Sequence, residues 1–114
     1  MTTIDKARDL LNPGEKALVL LTRGHQLSIN ADKSGYTGNW VVDHPLSVDR
    51  VVIYLRPNRA GSRADIFLAD FVASKPSDEE RRFVIEFQNA RRIGTSFRTW
   101  PEFAEGSQKP VRYL

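Results

Sequence analysis

Three successive segments in the middle of the chain alternate their side chains with a period of two, and this pattern constrains the fold more than any other feature. They are residues 50–56 (RVVIYLR), 64–73 (ADIFLADFVA) and 82–87 (RFVIEF). Successive side chains of a β-strand point to opposite faces, so each segment predicts a strand. The loops at 57–63 and 74–81 are too short for a crossover helix, which predicts an antiparallel meander.

The segments outside this meander predict two short helices and three more strands. Helices are predicted at residues 3–11 and from Thr99 to Ala104, because each begins with a threonine that can cap it. Residues 16–22 (KALVLLT) are typical of a buried strand. Residues 38–42 predict a short strand, and the tail 109–114 a final edge strand.

The segment from Gly24 to Gly38 is rich in turn-forming residues and predicts a long connection, the kind of loop in which function often lies. Five or six short strands with two short helices predict a small curved sheet that closes into a barrel, since closure removes exposed strand edges. We therefore expect a mainly β fold of α+β class, with a single domain over residues 1–114.

The composition limits both chemistry and location. The sequence contains no cysteine, which excludes thiol nucleophiles, thiolate zinc sites and disulfides. Its longest apolar run, Ala17 to Leu21, is far shorter than the roughly 20 residues of a membrane-spanning helix. No secretory signal pattern is present at the beginning. We expect a soluble cytoplasmic domain with no membrane partner.

The basic residues are of a particular kind. The net charge is +3, and 12 of the 17 basic residues are arginine. The planar guanidinium group pairs with phosphate and stacks on rings, so this bias favours a nucleic-acid partner. A GC-rich genome, whose codons favour arginine over lysine, is the alternative explanation.

Motifs for catalysis are missing from the sequence. His25 and His44 lie in different loops without the spacing of metal ligands, and the acidic run 78–80 is typical of a solvated turn. Neither a Gly-x-Ser-x-Gly elbow nor a phosphate-binding loop occurs. We predict no catalytic residue, no metal and no cofactor, so a binding module is favoured over an enzyme.

Two tryptophans stand out because their sequence neighbours are polar. Trp40 follows Asn39, and Trp100 follows a polar stretch that contains Thr95 and Arg98. An aromatic plane beside amide and guanidinium groups can stack a nucleobase and contact its edge. The alternative is that both tryptophans fill the ends of a small barrel.

Asp70 is anomalous because it shares a strand face with Ile66, Leu68 and Val72. A carboxylate on an apolar face needs a partner or loses its charge. Either this face is solvated, or Asp70 accepts from a buried arginine, a backbone amide or a ligand, and we favour a structural partner.

The central hairpin resembles that of PUA-like domains, a superfamily that includes the ASCH, EVE and YTH branches. The resemblance rests on residues 48–54 (VDRVVIY) and 64–71 (ADIFLADF), with Gly38-Asn39-Trp40 upstream and Gly94, Thr95 and Trp100 downstream. It covers roughly residues 38–104. The resemblance implies a pseudo-barrel with a pocket for a flipped or unpaired, often modified, nucleobase and a basic rim. It implies no catalytic residue.

These observations together predict a non-catalytic module that binds single-stranded or base-modified DNA or RNA. The tryptophans would wall a base, the polar residues would contact its edge, and the arginines would meet phosphates. Two alternatives remain: a small metal-dependent nuclease or hydrolase using Asp70, Glu86 or a lysine, and a protein-interaction or homodimerisation module with an exposed strand edge. The predicted nucleic-acid-binding residues are Asn39, Trp40, Arg56, Asp70, Arg91, Arg92, Thr95, Arg98 and Trp100.

Overall fold

The computed structural model describes residues 2–57, 62–106 and 109–114, and it is mainly β, as predicted. Residues 58–61 of the predicted loop at 57–63 lie outside these ranges. A 3-10 helix spans Ala7–Leu10, and one short helix, α1, spans Trp100–Phe103. The strands are β1 (Ala17–Thr22), β2 (Leu27–Ile29), β3 (Gly35–Trp40), β4 (Arg50–Leu55), β5 (Ala64–Pro76), β6 (Phe83–Ser96) and β7 (Val111–Tyr113).

All the described strands join one mixed sheet in the order β2-β3-β6-β5-β4-β1-β7. The predicted meander is confirmed, since β4 pairs with β5 and β5 with β6, both antiparallel. The pairing of β1 with β4 is parallel. This parallel pairing is possible because the chain between β1 and β4 crosses to the opposite edge of the sheet, where it forms β2 and β3.

The described part of the chain forms an open sheet of seven strands, whereas the sequence predicted a closed barrel of five or six. The extra strand, β2, lies in the segment that predicted a long connection. Its turn residues make a tight hairpin, in which the Asn30 amide donates to the Ser34 carbonyl at 2.7 Å and Asp32 accepts from Ser34. Strand β6 also continues nine residues beyond the predicted end at Phe87.

Both faces of the sheet are buried, because alternate residues of β4 enter different cores. Val52 and Tyr54 pack under the 3-10 helix and α1, together with Phe103. Val51 and Ile53 pack on the opposite face. Burial on both faces explains why β1 is a continuous apolar run.

The two predicted helices differ in how well they form. Thr99 and Glu102 make the predicted capping interaction at the start of α1, with the Thr99 amide 3.1 Å from Glu102 Oε1. The predicted helix at 3–11 shrinks to the 3-10 turn, because the residues before it pair with β6 instead. The Ile4 amide donates to the Thr95 carbonyl at 2.8 Å. No helix within the described ranges is long and apolar enough to cross a membrane.

Candidate nucleic-acid interface

The two tryptophans lie in different cores, on opposite faces of the sheet. Trp40 is 8% exposed, and its indole N–H donates to Thr37 Oγ1 at 3.2 Å. Trp100 is 7% exposed, packs edge-on against Tyr54 and donates to the Lys109 carbonyl at 2.8 Å. The two side chains therefore do not wall one pocket, and their surroundings match the alternative that each fills a core.

The register of β6 separates the predicted residues into two groups. Trp40, at the end of β3, pairs with Phe83, the first residue of β6. Asn39 and Trp40 therefore lie beside the beginning of β6. Thr95 and Ser96 end the strand, and Arg98 follows them. Asn39 and Trp40 thus lie at one end of β6, and Thr95 and Arg98 lie at the other.

Asp70 has the structural partners that its position on an apolar face predicts. Its carboxylate accepts from the Arg50 guanidinium and, through Oδ2, from Asn89 Nδ2 at 2.8 Å. Arg50 also donates to Glu15 Oε2 at 2.9 Å. Hydrogen bonds from the Asn12 amide and then from Arg50 hold the pKa of Glu15 below its usual value. Asp70 is therefore part of a structural network.

Thr95 is a buried strand residue and holds the N-terminal segment. Only 3% of Thr95 is exposed, and its amide donates to the Thr2 carbonyl at 3.0 Å.

Glu86, which the nuclease alternative invokes, pairs with Lys75 at 3.2 Å. Within the described ranges, no three His, Asp or Glu side chains gather as metal ligands would.

Four strand ends meet at one edge of the sheet, because the register fixes their positions. Parallel β1 and β4 end together, with Thr22 beside Leu55. Leu55 is opposite Asp65, at the beginning of β5, and Ala64 is opposite Ser96, at the end of β6. The residues that directly follow β1, β4 and β6, and those that directly precede β5, therefore lie at this edge.

Those flanking positions are rich in arginine, and we name the region the arginine-rich end. The only large apolar side chain among them is Phe97, which is 62% exposed. The Arg63 guanidinium lies over its ring, with Cζ 4.3 Å from the ring centroid. The residues of this end are Arg23, Arg56, Arg63, Phe97 and Arg98, together with Arg92, which lies within β6 and pairs with Asp65 at the beginning of β5.

The ion pairs at the arginine-rich end are exposed and weak. Arg92 pairs with Asp65 at 2.9 Å, and Arg98 with Asp5 at 3.3 Å and Glu102 at 3.9 Å. Exposed pairs contribute only about 0–1 kcal/mol, so these guanidinium groups can change partner at little cost.

Arg56 and Arg91 are both exposed, but only Arg56 belongs to this end. Arg56 follows β4, and its charge acts on the nearby Tyr54 hydroxyl, which in turn donates to the Arg98 carbonyl at 2.6 Å. Burial of the Tyr54 ring raises the pKa of its hydroxyl. Arg91 is opposite Leu68, farther along β6, and its guanidinium donates to the Asn89 carbonyl. Arg91 therefore lies apart from Arg56, Arg92 and Arg98, the other arginines that were predicted to contact phosphates.

Asn39 lines a groove of about 240 Å³ at the other end of β6, which we name the Tyr36 groove. Tyr36, which is 46% exposed, forms one wall. The remaining lining residues are Gln26, Gly38, Pro76, Ser77, Asp78 and Val84.

Sequence reasoning did not single out Phe97 or Tyr36. Phe97 gave no signal as the residue after a strand, because the third strand was predicted to end at Phe87, nine residues before β6 ends at Ser96. Tyr36 gave no signal, because the segment around it predicted a loop.

Comparison with protein-family models, with curated proteins and with solved structures finds no match to this chain.

Proposed function

We propose that this protein is a non-catalytic nucleic-acid-binding module that holds a single-stranded segment of DNA or RNA at the arginine-rich end. The observation that carries the proposal is the exposed Phe97 ring with the Arg63 guanidinium over it. Among the described residues no other aromatic side chain is as exposed. An exposed ring flanked by guanidinium groups can stack on a base while the arginines contact phosphates.

The positions of the arginines support a contact that follows the phosphate backbone of the nucleic acid. They come from four separate segments of the chain, which the sheet brings to one edge. A phosphate backbone that crosses this edge would meet several guanidinium groups in succession. Arginine suits this role, because its fork of N–H donors matches phosphate oxygens.

The relation to PUA-like domains is part of the same proposal. The hairpin of β4 and β5 falls on the two segments that carry the resemblance. The Asp43 amide donates to the Tyr113 hydroxyl at 2.8 Å, and this approach of the chain after β3 to β7 supports the pseudo-barrel part of the proposal. Because the tryptophans lie in separate cores, we assign base stacking to Phe97. The cysteine-free composition supports a cytoplasmic location.

A direct test measures the binding of labelled single-stranded DNA and RNA by fluorescence anisotropy, for the parent and for Phe97→Ala. Loss of one base–aromatic stack weakens binding about five- to 150-fold. Thermal melting should stay near that of the parent, because the ring is already in solvent. Val72→Ala is the matched control, since Val72 is exposed but lies within β5. Equal affinities for the parent and Phe97→Ala would remove Phe97 from the interface.

A protein-interaction role is the second candidate, and the open sheet favours it. Among the described strands, β2 pairs with β3 alone, so its outer edge is available for another strand, and its last residue, Ile29, is exposed. A concentration-dependent dimer in light scattering that is lost in Ile29→Lys would support this function.

A further inference from the structure

The Tyr36 groove is separate from the arginine-rich end and has different chemistry. Its walls include the Tyr36 ring, Pro76 and Val84, and its polar groups come from Gln26, Asn39, Ser77 and Asp78. Its volume, about 240 Å³, lies below the roughly 300–1,000 Å³ of pockets for drug-sized ligands. The groove therefore suits one small planar ring system.

The floor of the groove is kept open by a glycine. A Cβ atom on Gly38 would lie 3.2 Å from Val84 Cγ2 and 3.5 Å from Gln26 Oε1. Both of those residues line the groove, so any side chain at position 38 would occupy the space between them. A single methyl group at position 38 can therefore be used to narrow the groove between Val84 and Gln26.

The polar groups of the groove are available to a ligand. Within the described ranges, the side-chain amides of Gln26 and Asn39 and the carboxylate of Asp78 make neither a hydrogen bond nor an ion pair. The Asn39 backbone carbonyl, by contrast, accepts from Arg82 at 3.2 Å. The groove thus offers two amides that donate and accept, and one carboxylate that only accepts.

We infer that the Tyr36 groove binds an unpaired nucleobase that carries an exocyclic amino group, stacked against the Tyr36 ring. The amino group would donate to the Asp78 carboxylate, while the amide of Asn39 or Gln26 would donate to a ring nitrogen or carbonyl. Cytosine, adenine and guanine carry such an amino group, whereas thymine and uracil do not. This inference rests on the proposed function for the class of ligand, but it concerns another surface and another property, the choice of base.

The test compares six-nucleotide single strands of deoxycytidine and of thymidine in anisotropy titrations with the full chain. The parent should bind the cytidine strand several-fold more tightly, because cytosine carries the exocyclic amino group that donates to Asp78 and thymine does not. Asp78→Asn replaces an acceptor by a group that also donates, so the ratio of the two affinities should fall to about one. Asp9→Asn is the matched control, since it removes the same charge from an exposed position and should leave the ratio unchanged.

Two further variants test the stacking of the base on Tyr36 and the space beside Gly38. Tyr36→Ala should weaken binding of the cytidine strand about five- to 150-fold, the effect of losing one base–aromatic stack. Gly38→Ala should also lower the preference for cytidine, and thermal melting reports whether that variant still folds. If Gly38→Ala unfolds, Asp78→Asn decides the matter alone, because its side chain is exposed.

The outcomes separate this inference from the proposed function. Variants at the arginine-rich end should weaken both strands equally and change the salt dependence, whereas Asp78→Asn should change only the ratio. A ratio that depends on Asp78 supports the groove even if Phe97→Ala has no effect. A parent ratio near one, or a preference that survives Asp78→Asn, would overturn the inference.

Discussion

The two ends of β6 carry exposed aromatic rings in opposite chemical settings. Phe97 lies beside the Arg63 guanidinium and near Arg92 and Arg98, while Tyr36 lies beside amides and a carboxylate whose side chains make no hydrogen bond within the described ranges. Phosphate contacts position a nucleic acid without reading its sequence, and contacts with base edges select it. The difference indicates a division of labour, with affinity generated at one end and base choice at the other.

The largest expected effect concerns the tryptophans that lie behind these two surfaces. Trp40 and Trp100 are core residues, so replacing either by alanine should cost about 3–5 kcal/mol of folding free energy. Total stability is about 5–15 kcal/mol for a domain of ordinary stability, so either variant should melt far below the parent. Chemical denaturation monitored by circular dichroism measures the loss.

The conservative variants Trp40→Phe and Trp100→Phe serve as controls and should retain much of the lost stability. A tryptophan variant that melts like the parent yet fails to bind nucleic acid would restore the base-stacking role that the sequence predicted. It would also assign base stacking to that tryptophan in place of Phe97 and Tyr36.

The salt dependence of binding gives the next largest effect and compares two arginines. Each lost phosphate contact with a single strand lowers the log–log slope by about 0.7. We expect Arg56→Ala, at the arginine-rich end, to show this reduction. Arg91→Ala removes the same charge from the middle of β6 and should leave the slope close to that of the parent. Anisotropy titrations at several salt concentrations measure both slopes.

Equal slopes for the two arginine variants would mean that the interface extends along β6 and does not end at its last residues. A reduction in Arg91→Ala alone would move the interface toward the middle of the strand. Either result would redraw the boundary between the two ends.

Local patterns predicted the parts of the fold that depend on neighbours in sequence. The alternation of β4 and β5 and the capping interaction of Thr99 with Glu102 are encoded within a few residues, and both are present in the structure. The parallel pairing of β1 with β4 joins segments about 30 residues apart, and no local pattern specifies it. The sequence predicted a curved sheet that closes into a barrel, whereas the described strands form an open sheet whose order no local pattern specifies.

The site was harder to predict than the fold, because side-chain direction decides it. Asn39 and Trp40 are adjacent, so on a strand they face opposite sides: Asn39 lines the groove while Trp40 enters the core. Polar neighbours in sequence therefore said little about the surroundings of the indole. For Asp70 the face was informative, and the sequence predicted a partner but could not identify Arg50 and Asn89.

The smallest expected effect is a pH dependence that arises at the arginine-rich end. Hydrogen bonds from the Thr99 amide and then from its hydroxyl hold the pKa of Glu102 below its usual 4.5. A group whose pKa is lowered by folding stabilises the protein above its unfolded pKa, and that contribution disappears as the pH falls through the folded pKa. Acid should therefore weaken the start of α1, which carries Trp100.

We expect Glu102→Gln to be less stable than the parent at neutral pH, with the difference shrinking below about pH 4.5. Urea denaturation at neutral and acidic pH measures this difference, and Glu80→Gln, an exposed change in the β5–β6 loop, is the control. A gap between parent and Glu102→Gln that stays constant down to pH 3 would show that the capping carboxylate does not couple acid to this end of the sheet.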